Sequence, residues 1–176
     1  MGPGPADGGP GAGPPAPEAG DGGTDPDAVL AAAGAALAAA VAGALPAFVR
    51  RGVEGAVPPG WPGRAEVLAA ADDAGRRAAA EAGEALAALL GADVDRQPRT
   101  PLEVVRGALA GPTAVLRAAG VPAPGRDAFT RARLPHDVYG LAPASLGAVA
   151  PEVGELALAW GAAKALAHRR RHGGPR

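Results

Sequence analysis

Residues 65–91 read AEVLAAADDAGRRAAAEAGEALAALLG and decide the fold class of this 176-residue chain. Small and apolar side chains recur every three or four residues, which places them on one face of an α-helix. These seam residues are Leu68, Ala71, Gly75, Ala78, Ala82, Leu86 and Leu89. The stretch predicts a long helix over residues 65–90. Its small seam residues would let a second helix approach closely.

The other face of this helix is charged, and its last residue is followed by a glycine. Opposite charges four residues apart predict ion pairs between Asp72 and Arg76, Asp73 and Arg77, and Arg77 and Glu81. Gly91 stands where a helix C-cap glycine is expected.

Further helices are indicated on both sides. Thr100, Pro101 and Glu103 form a capping box that starts a helix over residues 101–110. Gly111-Pro112 should break or kink that helix, and a second short one should close at Gly120. Asp127 is placed to cap a short helix through Arg133, and Pro143 and Pro151 are each placed to begin a helical turn. The seam of the terminal helix, residues 151–172, is Val153, Leu156, Trp160, Ala163 and Ala167.

Composition agrees with an all-α bundle of four to five helices. The chain has 48 alanines but only 14 valines and no isoleucine, so a β-sandwich or barrel is not expected. It has no cysteine, which excludes disulfides, thiolate zinc sites and cysteine nucleophiles. The net charge of −1 gives no general sign of nucleic-acid binding.

Residues 1–27 contain nine glycines and seven prolines, and apart from Met1 nothing apolar larger than alanine. Such a segment cannot bury enough surface to offset its ordering entropy. We therefore predict a disordered tail over 1–27, one helical domain over 28–172 and a flexible end over 173–176.

Residues 28–49 raise the question of a membrane span, because these 22 residues carry no charge. Only seven of them are larger than alanine, and two glycines and a proline interrupt the run. The large side chains Leu30, Leu37, Val41, Leu45 and Phe48 form one narrow stripe. A stripe favours a soluble helix with one packed seam. Membrane association through this segment is the alternative.

The sequence contains few residues that could carry catalysis. It lacks the GxxxxGK[ST], HExxH and GxSxG motifs, and Ser145 is its only serine. His136, Asp137 and Tyr139 are the one cluster with a base, an orienting carboxylate and a proton donor. The structural interpretation is that they hold a loop in place. Two of the three histidines lie in a terminal basic stretch, so neither a multi-histidine metal site nor a cofactor is predicted.

Both tryptophans and the terminal arginines are candidate binding residues. Trp61 stands among prolines and either covers a helix seam or docks on a partner. Trp160 lies on the seam of the last helix. Arg169, Arg170 and Arg171 either form a solvated helix end favoured by the helix dipole or contact nucleic acid or anionic lipid.

Three stretches resemble segments of an Ala-rich helical protein family from high-GC actinobacteria, to which no activity is assigned. They are PTAVLRAAGVP at 112–122, PHDVYGLAPAS at 135–145 and AWGAAKA at 159–165. The resemblance covers about residues 93–171. It implies a cytosolic setting but no reaction.

These observations favour a cytoplasmic, non-enzymatic interaction or adaptor protein that binds a protein partner or a second copy of itself. One alternative is a small enzyme or ligand-binding protein that uses His136, Asp137 and Tyr139 in a pocket under Trp160. The other is a protein associated with a membrane through residues 28–49.

The predicted tail can be tested by limited proteolysis. A segment without bulky side chains makes no core contacts, so proteolysis should leave a resistant core that begins between Asp25 and Leu30. Deletion of residues 1–26 should leave the melting temperature unchanged. A loss of several degrees would show that the tail is part of the fold.

Overall fold

The structure is a computed structural model that describes residues 1, 25–125, 127–133 and 138–173. This part of the chain forms helices and no strand, which confirms the all-α bundle. The α-helices are α1 (Pro26–Ala56), α2 (Arg64–Gly91), α3 (Pro101–Ala108), α4 (Ala110–Ala118), α5 (Ala128–Arg133) and α6 (Pro151–His172). Short 3-10 turns span Val94–Arg96 and Leu146–Ala148.

Helices α1 and α2 form an antiparallel pair that is closely packed because its seam is small. A Cβ atom added at Gly34 would lie 3.1 Å from the Cβ of Leu90, and one at Gly83 would lie 3.2 Å from the Cβ of Ala42. Glycine thus occupies the contacts where a larger residue would push the helices apart. All seven predicted seam residues of α2 are buried.

The buried stripe of α1 is longer than predicted. Leu30, Leu37, Val41 and Leu45 are buried as expected. The seam then continues through Val49 and Val53, and Phe48 is only half-buried. Steps of four residues keep this seam facing α2, whereas the three-residue step to Phe48 leaves it. The helix continues past Gly52 and ends at Ala56.

Helices α3 and α4 pack against α2. The residues at their ends determine where each helix starts and stops. The capping box is present: the Oγ1 of Thr100 accepts from the Glu103 amide at 3.3 Å, and the Glu103 carboxylate accepts from the Thr100 amide at 2.7 Å. The hydrogen bond from the Thr100 amide, followed by one with the Thr100 side chain, lowers the pKa of Glu103. The break lies at Leu109, two residues before the predicted one, because Pro112 fits within the first turn of α4.

Helix α4 ends as its sequence predicts. Gly120 has φ of 69° and donates to the Arg117 carbonyl, and Val121 donates to the Leu116 carbonyl. This is a Schellman ending, with Val121 and Leu116 both buried.

Helix α6 packs against α1 with the predicted seam, except that Leu156 is only half-buried. Trp160 is 8% exposed and belongs to the core. The 3-10 turn Leu146–Ala148 lies against the first turns of α6. A Cβ atom at Gly154 would lie 2.9 Å from the Cα of Gly147, so this approach requires glycine.

Three local expectations are wrong. Gly91 is the last helical residue, has no positive φ and is not a left-handed cap. The turn expected at Pro143 begins instead at Leu146. Asp72 bonds to Arg50 of α1 at 2.5 Å rather than to Arg76, because it faces the neighbouring helix; Arg76 pairs with Asp73.

The start of the domain also shifts. Helix α1 begins at Pro26, and the Asp25 side chain accepts from the Asp27 amide as its N-cap. Residues 2–24 of the predicted tail and residues 174–176 lie outside the described residues. A deletion that tests the tail without removing this cap must therefore stop at residue 24.

The contact between Gly147 and Gly154 predicts opposite effects for two substitutions in α6. Gly154→Ala should lower the free energy of unfolding by about 1–3 kcal/mol, because the new methyl group meets backbone atoms. Gly161→Ala, at an exposed helical position with open space around it, should raise it by about 0.5–1 kcal/mol. Urea unfolding of both variants measures these changes. Equal effects would contradict the close approach.

Candidate functional site

The outward side of α1 is an uncharged surface of small residues. Its exposed residues between Asp27 and Arg50, which we call the alanine face, are Ala28, Ala31, Ala32, Ala35, Ala36, Ala39, Gly43 and Ala47. At about 1.5 Å per residue, 22 residues extend over roughly 33 Å. A helix surface that faces water normally carries charge, so this face is unusual for a purely solvated helix.

The exposed side of α2 provides the comparison within the same molecule. It carries the charged residues Glu66, Asp73, Arg76, Arg77, Glu81 and Glu84. The two longest helices thus pack with similar small seams but differ on their outer surfaces. The difference makes the alanine face a candidate contact surface.

Helix α1 is also the one described helix that is long and apolar enough to cross a membrane. Its most apolar 18-residue window has a mean hydropathy of 2.2, and 33% of that window is buried in the protein. The buried part is the seam toward α2 and α6.

A second candidate site joins three segments at one end of the bundle. Arg171 of α6 pairs with Asp27 of α1 at 2.9 Å and with Asp93 before the first 3-10 turn at 3.2 Å. Arg170 lies 3.6 Å from Asp25. These residues, with Asp95, His168 and His172, are called the end cluster below. Its ion pairs connect the start of α1 to the end of α6.

Asp95 is the centre of the end cluster. Its Oδ1 lies 3.0 Å from the Nδ1 of His168, and its Oδ2 lies 3.0 Å from the Nε2 of His172. The hydrogen bond with His172, followed by that with His168, lowers the pKa of Asp95 below its ordinary value of 3.8. The two imidazole rings are 4.5 Å apart, centroid to centroid.

The local sequence patterns do not predict the end cluster. Asp95 is 73 residues from His168, and no local pattern shows which carboxylate will meet a helix end. The four-residue interval between His168 and His172 was an available signal, because it puts both rings on one side of a helix.

Trp160 borders a cavity of about 270 Å³ between α6 and the start of α3. Lys164 lies 5.2 Å from the centre of its indole ring and donates to Gln97 at 2.8 Å. The Trp160 Nε1 is buried and has no hydrogen-bond partner among the described residues. The other lining residues are Pro98, Arg99, Thr100, Pro101 and Glu103.

A more apolar cavity of about 450 Å³ lies where the second 3-10 turn meets α6. Leu158, which is 78% exposed, stands at its edge. Its other lining residues are Leu102, Ala144, Ser145, Leu146, Gly147, Gly154 and Ala157.

The predicted loop site falls partly outside the structure. His136 and Asp137 lie outside the described residues. Tyr139 is half-buried, and its hydroxyl donates to the Val121 carbonyl at 2.8 Å. Its hydroxyl thus attaches this segment to the end of α4, and Tyr139 lines neither cavity described above.

The remaining predicted binding residues lie in three different places. Trp61 is half-buried against the core between α1 and α2. Trp160 is in the core near α3. Arg169 is exposed, whereas Arg170 and Arg171 form the ion pairs of the end cluster. The arginine run is therefore engaged in part by the chain's own carboxylates.

Comparison with protein families, with curated proteins and with solved structures gave no match for this chain. The resemblance to an actinobacterial family stays a prediction.

The lowered pKa of Asp95 predicts how its contribution to stability varies with pH. A carboxylate whose pKa is lower in the folded state stabilises the fold above its unfolded pKa of 3.8, and this contribution disappears as the pH falls through the folded value. Wild-type protein should exceed Asp95→Asn in free energy of unfolding at pH 5. The difference should shrink at pH 3, as measured by urea unfolding. A difference that is the same at both pH values would exclude the charged pairing.

Proposed function

We propose that this protein is a cytosolic, non-enzymatic helical interaction protein that pairs with a second copy of itself through the alanine face of α1. The observation that supports this most directly is the absence of charge on the exposed residues from Ala28 to Ala47, beside a neighbouring helix whose exposed side is charged.

Small side chains suit this surface to contact with another helix. Alanine and glycine let helix axes approach closely, and alanine loses no side-chain entropy on burial. The chain itself demonstrates such packing, because the opposite side of α1 meets α2 through Gly34, Ala42 and Gly83. The alanine face offers a second surface of the same chemistry.

The charges at the two ends of α1 favour an antiparallel pair of copies. Asp25 and Asp27 stand at its start, and Arg50 and Arg51 stand near its end. Asp27 and Arg50 lie beyond the two ends of the alanine face, and each also pairs within its own chain, Asp27 with Arg171 and Arg50 with Asp72. In a two-fold symmetric antiparallel pair, Asp27 of each copy would lie at the same end as Arg50 of the other and add to these contacts, whereas a parallel pair would place like charges together.

The proposed dimer is weak and concentration-dependent. A standard interface buries about 800 Å² on each partner. One helix face of alanines and glycines contributes less than that, because each side chain is small. The dimer should therefore dissociate on dilution.

A membrane surface is the second candidate partner. The hydropathy of α1 favours it, since the exposed face could enter a lipid layer without burying a charge. The buried seam limits this alternative to contact with the membrane surface, because crossing a bilayer would require α1 to leave α2 and α6.

Sedimentation equilibrium of the full chain over a range of concentrations tests the proposal. Wild-type protein should show reversible dimerisation. The double variant Ala35→Glu, Ala39→Glu places two charges on the alanine face and should be monomeric, because charge repulsion and desolvation oppose pairing. At a concentration where both proteins are monomeric, its circular dichroism and melting temperature should match those of the wild type, because both positions are exposed.

The matched control is Ala65→Glu, Ala69→Glu, which makes the same change at the same spacing on exposed positions of α2. It should dimerise like the wild type. Wild-type protein that stays monomeric at all concentrations would overturn the proposal. If that monomer sedimented with anionic vesicles, and the α1 double variant did not, the membrane alternative would replace it.

A further inference from the structure

The end cluster contains three side chains with the chemistry of transition-metal ligands. His168 and His172 are one turn apart on α6, and Asp95 reaches both of them from the first 3-10 turn. One ligand atom from each residue can be chosen so that all three lie within 4.8 Å of one another. Two imidazole nitrogens and one carboxylate oxygen form a ligand set that proteins use for zinc.

Two of the donor separations are close to those a metal requires, and the three donors together lie within 4.8 Å of one another. Tetrahedral zinc holds nitrogen and oxygen ligands at about 2.0–2.2 Å, which places neighbouring donors about 3.3 Å apart. The carboxylate oxygens of Asp95 already lie 3.0 Å from the nearest imidazole nitrogens. An ion bound between the three groups would replace these two hydrogen bonds, with the side chains adjusting so that a carboxylate oxygen and both imidazole nitrogens reach it.

The surrounding charges can accommodate a divalent cation. Asp25, Asp27 and Asp93 lie around the site together with Asp95, and they face Arg170 and Arg171. With neutral imidazoles, these four carboxylates and two guanidinium groups sum to −2. The cluster also lies in the last turn of α6, where the helix dipole favours positive charge.

The cluster has the supporting contact that orients a ligand. The Asp93 carboxylate accepts from the Asp95 amide at 3.1 Å and from Arg171 at 3.2 Å. This fixes the backbone of Asp95 relative to α6. The side chains of Asp95, His168 and His172 are 38%, 55% and 56% exposed, so an ion can enter from solvent.

From this juxtaposition we propose that Asp95, His168 and His172 bind one divalent transition-metal ion of the zinc class, with the remaining coordination position open to water or an external ligand. Bound metal would attach the end of α6 to the loop before α3. Pairing through the alanine face would involve Asp27 of the end cluster but none of the three proposed ligands, so the zinc variants test this proposal separately from the dimer.

Isothermal titration of tag-free, EDTA-treated full-length protein with ZnCl₂ tests the site. We expect one ion per chain. At a zinc concentration about a hundredfold above Kd, the melting temperature should rise by about 5–10 °C. Visible absorption after loading with Co²⁺ reports imidazole and carboxylate coordination independently of stability.

The variants separate this site from adventitious binding. His168→Ala, His172→Ala and Asp95→Ala should each weaken zinc binding at least about tenfold, since even the loss of a residue that only orients a ligand costs 10–100-fold. All three positions are exposed, so the variants should fold. His136→Ala removes the third histidine of the chain and should bind zinc like the wild type.

Two results would overturn the proposal. One is the absence of zinc binding by the wild-type protein in both titration and melting experiments. The other is binding that the three cluster variants retain, or that His136→Ala abolishes, since either would place the ion elsewhere.

Discussion

The close antiparallel contact between α1 and α2 is the constraint on which the rest of the structure depends. Where Gly34 meets Leu90 and Gly83 meets Ala42, an added methyl group would lie little more than 3 Å from its neighbour. A chain with few large apolar side chains has to gain its burial from many short contacts. Close approach lets valines and leucines such as Val41 and Leu86 reach full burial.

The same constraint explains why α1 has two distinct surfaces. Its inner side is occupied by α2 and α6, and the segment at 138–150 attaches near its end, where Arg51 donates to the Val149 carbonyl at 3.2 Å. The outer side needs no large residue and carries alanine. Alanine favours helix formation and carries no charge. The high alanine content of the chain therefore gives α1 an uncharged outer face, which is the proposed contact surface.

The end cluster follows from where the helices finish. Since α1 packs against α6, the start of α1 lies near the end of α6, and the loop after α2 is carried to the same place. Carboxylates at a helix start and cations at a helix end are each favourable within their own helix. Packing then brings opposite charges that are distant in the sequence into contact. Arg171 meets Asp93, 78 residues away, and Asp27, 144 residues away. The pair of histidines reaches Asp95 by the same arrangement.

Much of the fold was determined by the sequence itself, because helix formation depends on local spacing and local caps. The seam of α2, the Thr100–Glu103 capping box and the glycine ending at Gly120 all involve residues within a few positions of one another. Tertiary structure alone decided that Asp72 pairs with Arg50 and that Val49 lies in the seam instead of Phe48. The local sequence allows either side of each helix to pack, and the position of the neighbouring helix decides which side does. It also decided that Asp95 meets His168 and His172, since a contact across 73 residues depends on how whole helices pack and leaves no periodic trace in the chain.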